Sequence, residues 1–325
     1  MRISYHVSQE QFSPRELLDL VQHAEAVGFD AAFSSDHLQP WSPSQGHAGF
    51  TWSWLGAALQ ATKRLTFGAI TVPGGWRYHP IVLAQAVATL GEMFPGRLPW
   101  IALGSGQLLN EAATGLPWPD KQERNARLRE GADIMRALLA GETVTQHCRL
   151  TAAEAKLWTR PEQPTRLVGA TTNAATAEWL GGWADGLLTV RASAKRVRGI
   201  VAAFQRGGGD GKPMHLKVDL SWAPTEAEAL HQAHEHWRFN LLGADVNWEL
   251  RTPAAFEQAA RFVRPDDMHE AVLISADLSQ HAAWLAECAS LGFESLNLHN
   301  VGTNQRAFLD AFGQHVLPAL RRTET

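Results

Sequence analysis

Strand-like and helix-like patterns alternate eight times along this chain, and no other feature constrains its fold as strongly. Each strand-like segment is followed by a helical pattern; the first helix opens at Ser13-Pro14-Arg15-Glu16, where Ser suits the N-cap, Pro position N1 and Glu position N3. The strand-like segments lie near residues 2–7, 31–35, 65–71, 98–103, 165–170, 186–190, 214–222 and 294–299. Such alternation implies parallel strands with right-handed crossovers, and eight units close into a barrel. We predict an α/β fold, a single (β/α)8 TIM-barrel domain over residues 1–325.

Two connections are longer than the others. Residues 142–162 form an extended excursion after the fourth strand, and residues 225–289 form a long helical region after the seventh. We therefore expect insertions after strands 4 and 7. The 325 residues suit one barrel with such insertions.

Charge and composition argue against several classes of partner. The 29 basic and 33 acidic residues give a net charge of −4, without a basic cluster for nucleic acid or an anionic membrane. No apolar run reaches the ~18 residues of a membrane span, and Met1–Val7 resembles a strand more than a signal peptide. With only Cys148 and Cys288, a disulfide framework is not expected, so we predict a cytoplasmic protein.

An acid, an imidazole and an indole follow the second strand in Ser35-Asp36-His37-Leu38-Gln39-Pro40-Trp41. The C-terminal ends of barrel strands carry the chemistry of this fold. His37 can act as acid or base near neutral pH, Asp36 can orient it, and Trp41 can form a wall that excludes water. The alternative is an Asp helix cap beside an unrelated His and Trp.

Other strand ends carry further candidates. Glu10, after the first strand, either points into the barrel mouth or is a solvated loop carboxylate. The glycines before Trp76 either allow a flat ligand to approach the backbone or form an ordinary turn.

Two polar loops could hold an anion on backbone N–H groups. Gly104-Ser105-Gly106-Gln107 follows the fourth strand; Leu103 excludes a nucleophile elbow and Leu109 a dinucleotide fingerprint. Ala170-Thr171-Thr172-Asn173 follows the fifth strand, where a helix N-cap alone would explain the same residues.

The sequence predicts no metal site. His231 and His234 share a helix face, but His236 points away from it. The chain contains neither paired Cys nor an H-E-x-x-H motif.

Several stretches together resemble a known family. They are Glu10 to Leu17, Ser35 to Trp41, Gly46-His47-Ala48, Arg77-Tyr78-His79-Pro80, Gly104 to Glu111, Glu123 to Leu128, and His299 to Leu309. The chain resembles the bacterial-luciferase-like flavin and deazaflavin oxidoreductases, and most closely their deazaflavin-dependent glucose-6-phosphate dehydrogenase branch.

The resemblance implies a TIM barrel with an isoalloxazine-type ring in its C-terminal mouth. It assigns the proton acceptor to His37, the orienting acid to Asp36, the stabilising indole to Trp41 and an active-site carboxylate to Glu10. A non-proline cis peptide would map onto Ile70-Thr71. The implied cofactor contacts are Asp36, Ile70, Thr71, Gly104, Ser105, Gly106, Gln107, Ala170, Thr171, Thr172 and Asn173. A homodimer is also expected.

The chain departs from the dehydrogenase pattern at three places. Gln107 stands where the dehydrogenase has the Glu that protonates the reduced deazaflavin, and an amide cannot act as a general acid near neutral pH. The residues that bind the sugar phosphate there, two Lys and an Arg, fall on Ser193, near Asn247 and on Ala271. Thr172 and Asn173 replace a pair of glycines. These changes argue against a sugar phosphate substrate.

We therefore expect a flavin-dependent oxidoreductase of the luciferase-like monooxygenase type, with FMN or a related flavin as cofactor. A small organic substrate would lie over the ring, against Trp41 and Trp76. One alternative is a dehydrogenase or reductase that uses 8-hydroxy-5-deazaflavin and a substrate other than a phosphosugar. The other is a flavin-binding protein without catalysis of its own.

Overall fold

Eight parallel strands close into a barrel in the computed structural model, which describes residues 1–322 apart from the side chains of residues 244 and 245. The strands are β1 (Arg2–Val7), β2 (Ala31–Ser34), β3 (Thr66–Thr71), β4 (Trp100–Leu103), β5 (Arg166–Ala170), β6 (Leu187–Val190), β7 (Met214–Ser221) and β8 (Ser295–Asn300). Each pairs with its neighbours in chain order, and β8 pairs with β1 to close the barrel. The predicted TIM barrel is confirmed.

Helices connect the strands. They are α1 (Pro14–Ala26), α2 (Thr51–Ala61), α3 (Pro80–Met93), α4 (Lys121–Ala140), α5 (Ala174–Gly181), α6 (Ala194–Phe204), α7 (Leu278–Ala289) and α8 (Gln305–Ala311). The predicted cap of α1 is present: the Ser13 hydroxyl accepts a hydrogen bond from the backbone N–H of Glu16. No helix of residues 1–322 is long and apolar enough to cross a membrane.

The two long connections add elements to the barrel. Between β4 and β5, a short helix (Leu108–Glu111) precedes α4, and an antiparallel hairpin (Val144–His147 with Thr151–Ala155) follows it. Between β7 and β8 lie the helical segments Glu226–Trp237, Ala244–Asn247 and Pro253–Ala259. That region was predicted as helical throughout, but Leu273–Ile274 forms a short strand parallel to β7. Two residues are too few to produce the period-2 pattern by which a strand is recognised.

The barrel interior has an apolar side and a polar side. Phe33, Trp100, Val168 and Leu188, with Ala102, form one apolar cluster inside the barrel. On β7, β8 and β1 the alternation of the strand turns polar side chains inward instead. They are Ser4, His6, His215, Lys217, Asp219, Asn297 and His299. The rings of His6 and His299 lie 4.4 Å apart.

The expected cis peptide at Ile70-Thr71 is wrong, because no peptide bond within the described residues is cis. Ile70 and Thr71 continue the regular parallel ladder and pair with Ala102 and Leu103 of β4. Both residues nevertheless lie at the C-terminal end of β3, at the mouth.

Candidate active site

Asp36 lies just after β2. Residues from the end of β3 and from the loop that follows β3 hydrogen-bond to its carboxylate and to its backbone oxygen. Thr71 Oγ1 donates to Asp36 Oδ2 at 2.7 Å, and the Tyr78 hydroxyl donates to Oδ1 at 2.8 Å. Arg77 Nη2 donates to the backbone oxygen of Asp36 at 2.8 Å. Burial together with the Asp36 charge raises the pKa of Tyr78, so its hydroxyl remains a donor at neutral pH.

Arg77 bridges two buried carboxylates. Its Nη1 is 3.5 Å from Asp36 Oδ1, and its Nε is 3.3 Å from Glu111 Oε1. Burial raises the pKa of Glu111, and the Arg77 charge opposes that shift. This pairing compensates the charges that the folded chain removes from water.

Glu10, rather than Asp36, is the carboxylate in contact with His37. His37 Nδ1 lies 3.4 Å from Glu10 Oε1 and 3.3 Å from the backbone oxygen of Gln39. Ser8 and Ser35 donate to Glu10 Oε2 at 3.0 and 2.7 Å. Burial lowers the pKa of His37, whereas the Glu10 charge raises it. A neutral imidazole held in place by a fixed carboxylate can accept a proton.

Trp41 covers His37 from one side, with ring centroids 4.9 Å apart. Its other contacts come from the long β7–β8 connection. Phe256 meets it edge-on at 5.3 Å, Phe239 stacks at 6.2 Å, and Trp237 lies at 6.4 Å. Trp76, the other predicted substrate wall, packs on Trp118 at 5.2 Å.

The loop after β4 is tied to the loop after β2. Asn110 Oδ1 accepts backbone N–H bonds from Leu38 at 2.8 Å and Gln39 at 3.2 Å. Asn110 Nδ2 in turn donates to Gln107 Oε1 at 3.4 Å. Gly104, Ser105, Gly106 and Gln107 are partly exposed. Gly106 has φ +95°, and a Cβ there would come within 2.9 Å of Trp118.

The loop after β5 caps a helix and also meets a cation. Asn173 Oδ1 caps α5 by accepting from the N–H of Thr176 at 2.8 Å. Arg196 Nη2 donates to the backbone oxygen of Thr172 at 3.1 Å. Ala170, Thr171 and Thr172 are partly exposed, so the loop can be reached from the mouth.

The three positions expected to lack phosphate-binding cations have other surroundings. Ser193 caps α6 by accepting from the N–H of Arg196 at 3.4 Å. Ala271 packs against the apolar cluster formed by the β7–β8 connection. Asn247 is buried at the end of Ala244–Asn247.

The inward-facing residues at the C-terminal strand ends mark the mouth. Lys217, in the middle of β7, pairs with Val190 and is partly exposed. Ile70, Ala170 and Val190 point into the barrel at the ends of their strands and are nevertheless partly exposed. Because a closed barrel exposes inward residues only through an opening, these side chains form the floor of the mouth. An apolar floor beside hydrogen-bonding groups suits a flat heteroaromatic ligand.

Sequence reasoning gave no role to Arg77, Tyr78, Glu111, Lys217, Asp219 or His299. A signal was present in β7, where His215, Lys217 and Asp219 recur with the period of a strand. That pattern is typical of a solvated face, and only closure of the barrel turns it inward. Within residues 1–322, no three His, Cys, Asp or Glu side chains are grouped as a metal site requires, and the absence of a metal stays a prediction.

Fold and site together define a TIM-barrel enzyme with acid–base groups in its C-terminal mouth. The chain matches the family model for luciferase-like monooxygenases over residues 1–295. It is 34% identical to the F420-dependent glucose-6-phosphate dehydrogenase of Beutenbergia cavernae, over 100% of this chain and 98% of that one. The enzyme of the same name from Microbacterium testaceum is 35% identical, with 99% and 98% covered.

A solved F420-dependent secondary alcohol dehydrogenase, in complex with an F420-acetone adduct, superposes with a TM-score of 0.92 at 28% identity, covering 98% of this chain and 99% of that one. The chain belongs to the luciferase-like monooxygenase family. Its class is that of flavin- or deazaflavin-dependent oxidoreductases, which confirms the resemblance.

Proposed function

We propose that the chain is an FMN-dependent oxidoreductase that acts on a small organic substrate over the isoalloxazine ring. The observation that carries this proposal is the contact of 3.4 Å between His37 and Glu10 beside the floor of the mouth. A bound flavin would accept or donate hydride or single electrons, and reduced FMN also reacts with oxygen.

The residues of the mouth fit such a ring. The apolar floor of Ile70, Ala170 and Val190 offers a flat contact surface. At the β5 end, Arg196 and the N-terminus of α5 lie together, which suits the phosphate monoester of FMN. In this proposal the catalytic groups lie at or after the C-terminal ends of β1, β2 and β3, and the phosphate-binding groups follow β5 and β6.

Each residue of the site has a separate role in this proposal. His37 takes a proton from the substrate, and Glu10 orients its imidazole and stabilises the charge that forms. Trp41 excludes water from His37. Asp36, fixed by Thr71 and Tyr78, would hold the backbone before His37 and would be one of the residues that contact the bound ring.

Gln107 favours FMN over a deazaflavin. Its amide cannot supply the proton that the deazaflavin-dependent branch takes from a Glu at this position. The described partner of its side chain is another amide, Asn110.

A second candidate is a deazaflavin-dependent dehydrogenase with a substrate other than a phosphosugar. The relatives named above favour it, because they are F420-dependent enzymes by name. Ser193 and Ala271 argue against a phosphosugar in this candidate also, since neither side chain is cationic.

The cofactor is identified by titrating the purified protein with FMN, FAD, riboflavin and 8-hydroxy-5-deazaflavin, followed by fluorescence and calorimetry. We expect FMN to bind at least about tenfold more tightly than riboflavin, because riboflavin lacks the phosphate. Arg196→Met should remove most of that difference. Arg198→Met, an exposed neighbour on α6, is the matched control and should keep it. Binding of the deazaflavin alone supports the second candidate, and binding of none of the four overturns both.

A further inference from the structure

A second group of charged side chains lies in the mouth, on the strands opposite β3 and β4. Lys217 and Asp219 of β7 form an ion pair, and His299 of β8 contacts both. His299 Nδ1 is 3.2 Å from Lys217 Nζ and 2.8 Å from Asp219 Oδ1. We call Lys217, Asp219 and His299 the Lys217 group; neither the proton transfer at His37 nor the proposed ring contacts use it.

Two indole side chains, Trp237 and Trp41, connect the Lys217 group to His37. Lys217 Nζ lies 5.0 Å from the centroid of Trp237, whose ring meets that of His299 edge-on at 4.6 Å. Trp237 lies 6.4 Å from Trp41, which covers His37 at 4.9 Å. Trp41 and Trp237 therefore form a continuous run of aromatic contacts between the two polar groups of the mouth.

Lys217 is the member of the group that a ligand can touch. Its side chain is 15% exposed, whereas that of Asp219 is 2% and that of His299 is 1% exposed. An ammonium has three N–H groups. Within residues 1–322 it donates to Asp219 and at most also to His299 Nδ1, which itself lies against Asp219, so at least one N–H remains for a ligand oxygen.

The charges of the Lys217 group balance. Burial opposes ionisation of Asp219, but Lys217 and His299 together lower its pKa, so it stays a carboxylate at neutral pH. Burial and the Lys217 charge lower the pKa of His299, which disfavours a second cation in the group. One cation and one anion therefore cancel, and an anionic ligand would meet the Asp219 charge beside Lys217.

We propose that Lys217 donates a hydrogen bond to an uncharged carbonyl or hydroxyl oxygen of the substrate, and that the Lys217 group discriminates against carboxylates and phosphates. This inference rests on the proposed function, since it concerns the substrate of the same mouth. The Lys217 ammonium is a strong hydrogen-bond donor to a neutral oxygen. Because the Asp219 carboxylate already balances its charge, the group has no net positive charge that would attract an anion.

The test uses the flavin-loaded protein at pH 7.5 and three probes built on the same six-membered carbon ring: cyclohexanone, cyclohexanol and cyclohexanecarboxylate. Calorimetry should show cyclohexanone or cyclohexanol binding at least about tenfold more tightly than the carboxylate. Lys217→Met should weaken the neutral probes about tenfold. Lys212→Met is the matched control, because Lys212 Nζ bonds the backbone oxygen of Gly181 at 2.7 Å, next to the N-terminal end of β7. It should behave as the wild type.

Asp219→Asn gives the opposite result and does not depend on the folding of Lys217→Met. It leaves the Lys217 charge unbalanced, so we expect the affinity for cyclohexanecarboxylate to rise about tenfold. The double variant should lose that gain.

Two outcomes overturn the inference: wild-type protein that binds no neutral probe or prefers the carboxylate, and neutral-probe affinity that is unchanged in Lys217→Met. Flavin affinity is measured separately. Wild-type protein that binds no flavin or deazaflavin refutes the proposed function, whereas flavin binding with an unchanged probe preference in these variants refutes only the role of Lys217.

Discussion

His37 and Glu10 show how two residues from different strands become one acid–base pair. Ser8 and Ser35 fix the Glu10 carboxylate, which then lies within 3.4 Å of the imidazole. Burial lowers the pKa of His37 and favours the neutral ring, while Glu10 favours the protonated one. The pair is therefore suited to accept a proton during turnover and to release it afterwards.

Replacement of His37 should separate chemistry from cofactor binding. We expect His37→Ala to lower kcat by about 10²–10⁴-fold, the usual contribution of a general base. The FMN dissociation constant should change by less than about threefold, because the ring contacts stay in place. His47→Ala, in the same loop but exposed, is the control for steady-state turnover and FMN titration. Turnover of His37→Ala at the wild-type rate would contradict the assignment.

Arg77 should be the side chain of the site whose loss costs most stability. Its side chain is 8% exposed and pairs with two carboxylates that are each 1% exposed. Arg77→Met leaves both carboxylates without this partner, which costs about 3–5 kcal/mol for buried pairs. Urea unfolding measures this loss, and adding Glu111→Gln should recover part of it. If Arg77→Met is as stable as the wild type, the bridge does not stabilise the fold.

Part of the site could be predicted from the sequence because strand ends meet in a barrel. Asp36, His37, Trp41 and Glu10 all follow strands, and the structure brings Glu10, His37 and Trp41 into contact. Adjacency in sequence suggested Asp36 as the partner of His37, but Glu10 contacts it. The spacing within one loop carries no information about which strand lies next to it.

At the scale of elements, the eight strands were located within two residues of their observed ends. Each combines a short apolar run with a following turn or helix cap, and these local signals survive folding. Leu273–Ile274, which pairs with Leu220-Ser221, was not found, because two residues are too few to show the period-2 pattern of a strand. The contact between α5 and the turn after α6 was not found either, since it depends on how closely two backbones approach.

Because of that contact, we expect alanine substitution to have different effects on the free energy of unfolding at two glycines. A Cβ on Gly207 would lie 1.8 Å from the backbone oxygen of Glu178 in α5, whereas one on Gly199 of α6 would meet no heavy atom within 4 Å. Gly207→Ala must push two helices apart, so we expect a loss of about 1–3 kcal/mol. Gly199→Ala should be neutral or stabilise by up to about 1 kcal/mol, because Ala is the better helix former. Urea unfolding of the two variants checks the contrast, and equal effects would contradict it.

At the scale of the whole molecule, one side of the barrel interior is polar and the other is apolar. Trp100 and Phe33 stack on the apolar side, and His215 stacks on Trp100 at 4.1 Å. The histidines enclosed near or within the barrel include His6, His37, His215 and His299. Because these imidazoles are buried, their protonation affects the stability of the fold, and two of them, His37 and His299, also lie in the mouth.

These histidines should make the protein acid-sensitive. Burial lowers the pKa of His6, His37 and His299, and lowers that of His215 to about 3. Unfolded histidines have a pKa near ~6.5, so below that pH the unfolded chain binds more protons than the folded one. The free energy of unfolding should therefore be highest above about pH 6.5 and fall steadily toward pH 4.

Urea unfolding between pH 7.5 and 4 measures the slope, and the Gln variants of two histidines assign it. His215→Gln removes a group that must protonate on unfolding, so its loss of stability between pH 6.5 and 4 should be smaller than that of the wild type. His315→Gln, at an exposed position, should leave the slope unchanged. A wild-type profile that is flat from pH 7 to 5 would contradict the burial of neutral imidazoles. A variant slope equal to the wild type would show that His215 is not one of the groups responsible.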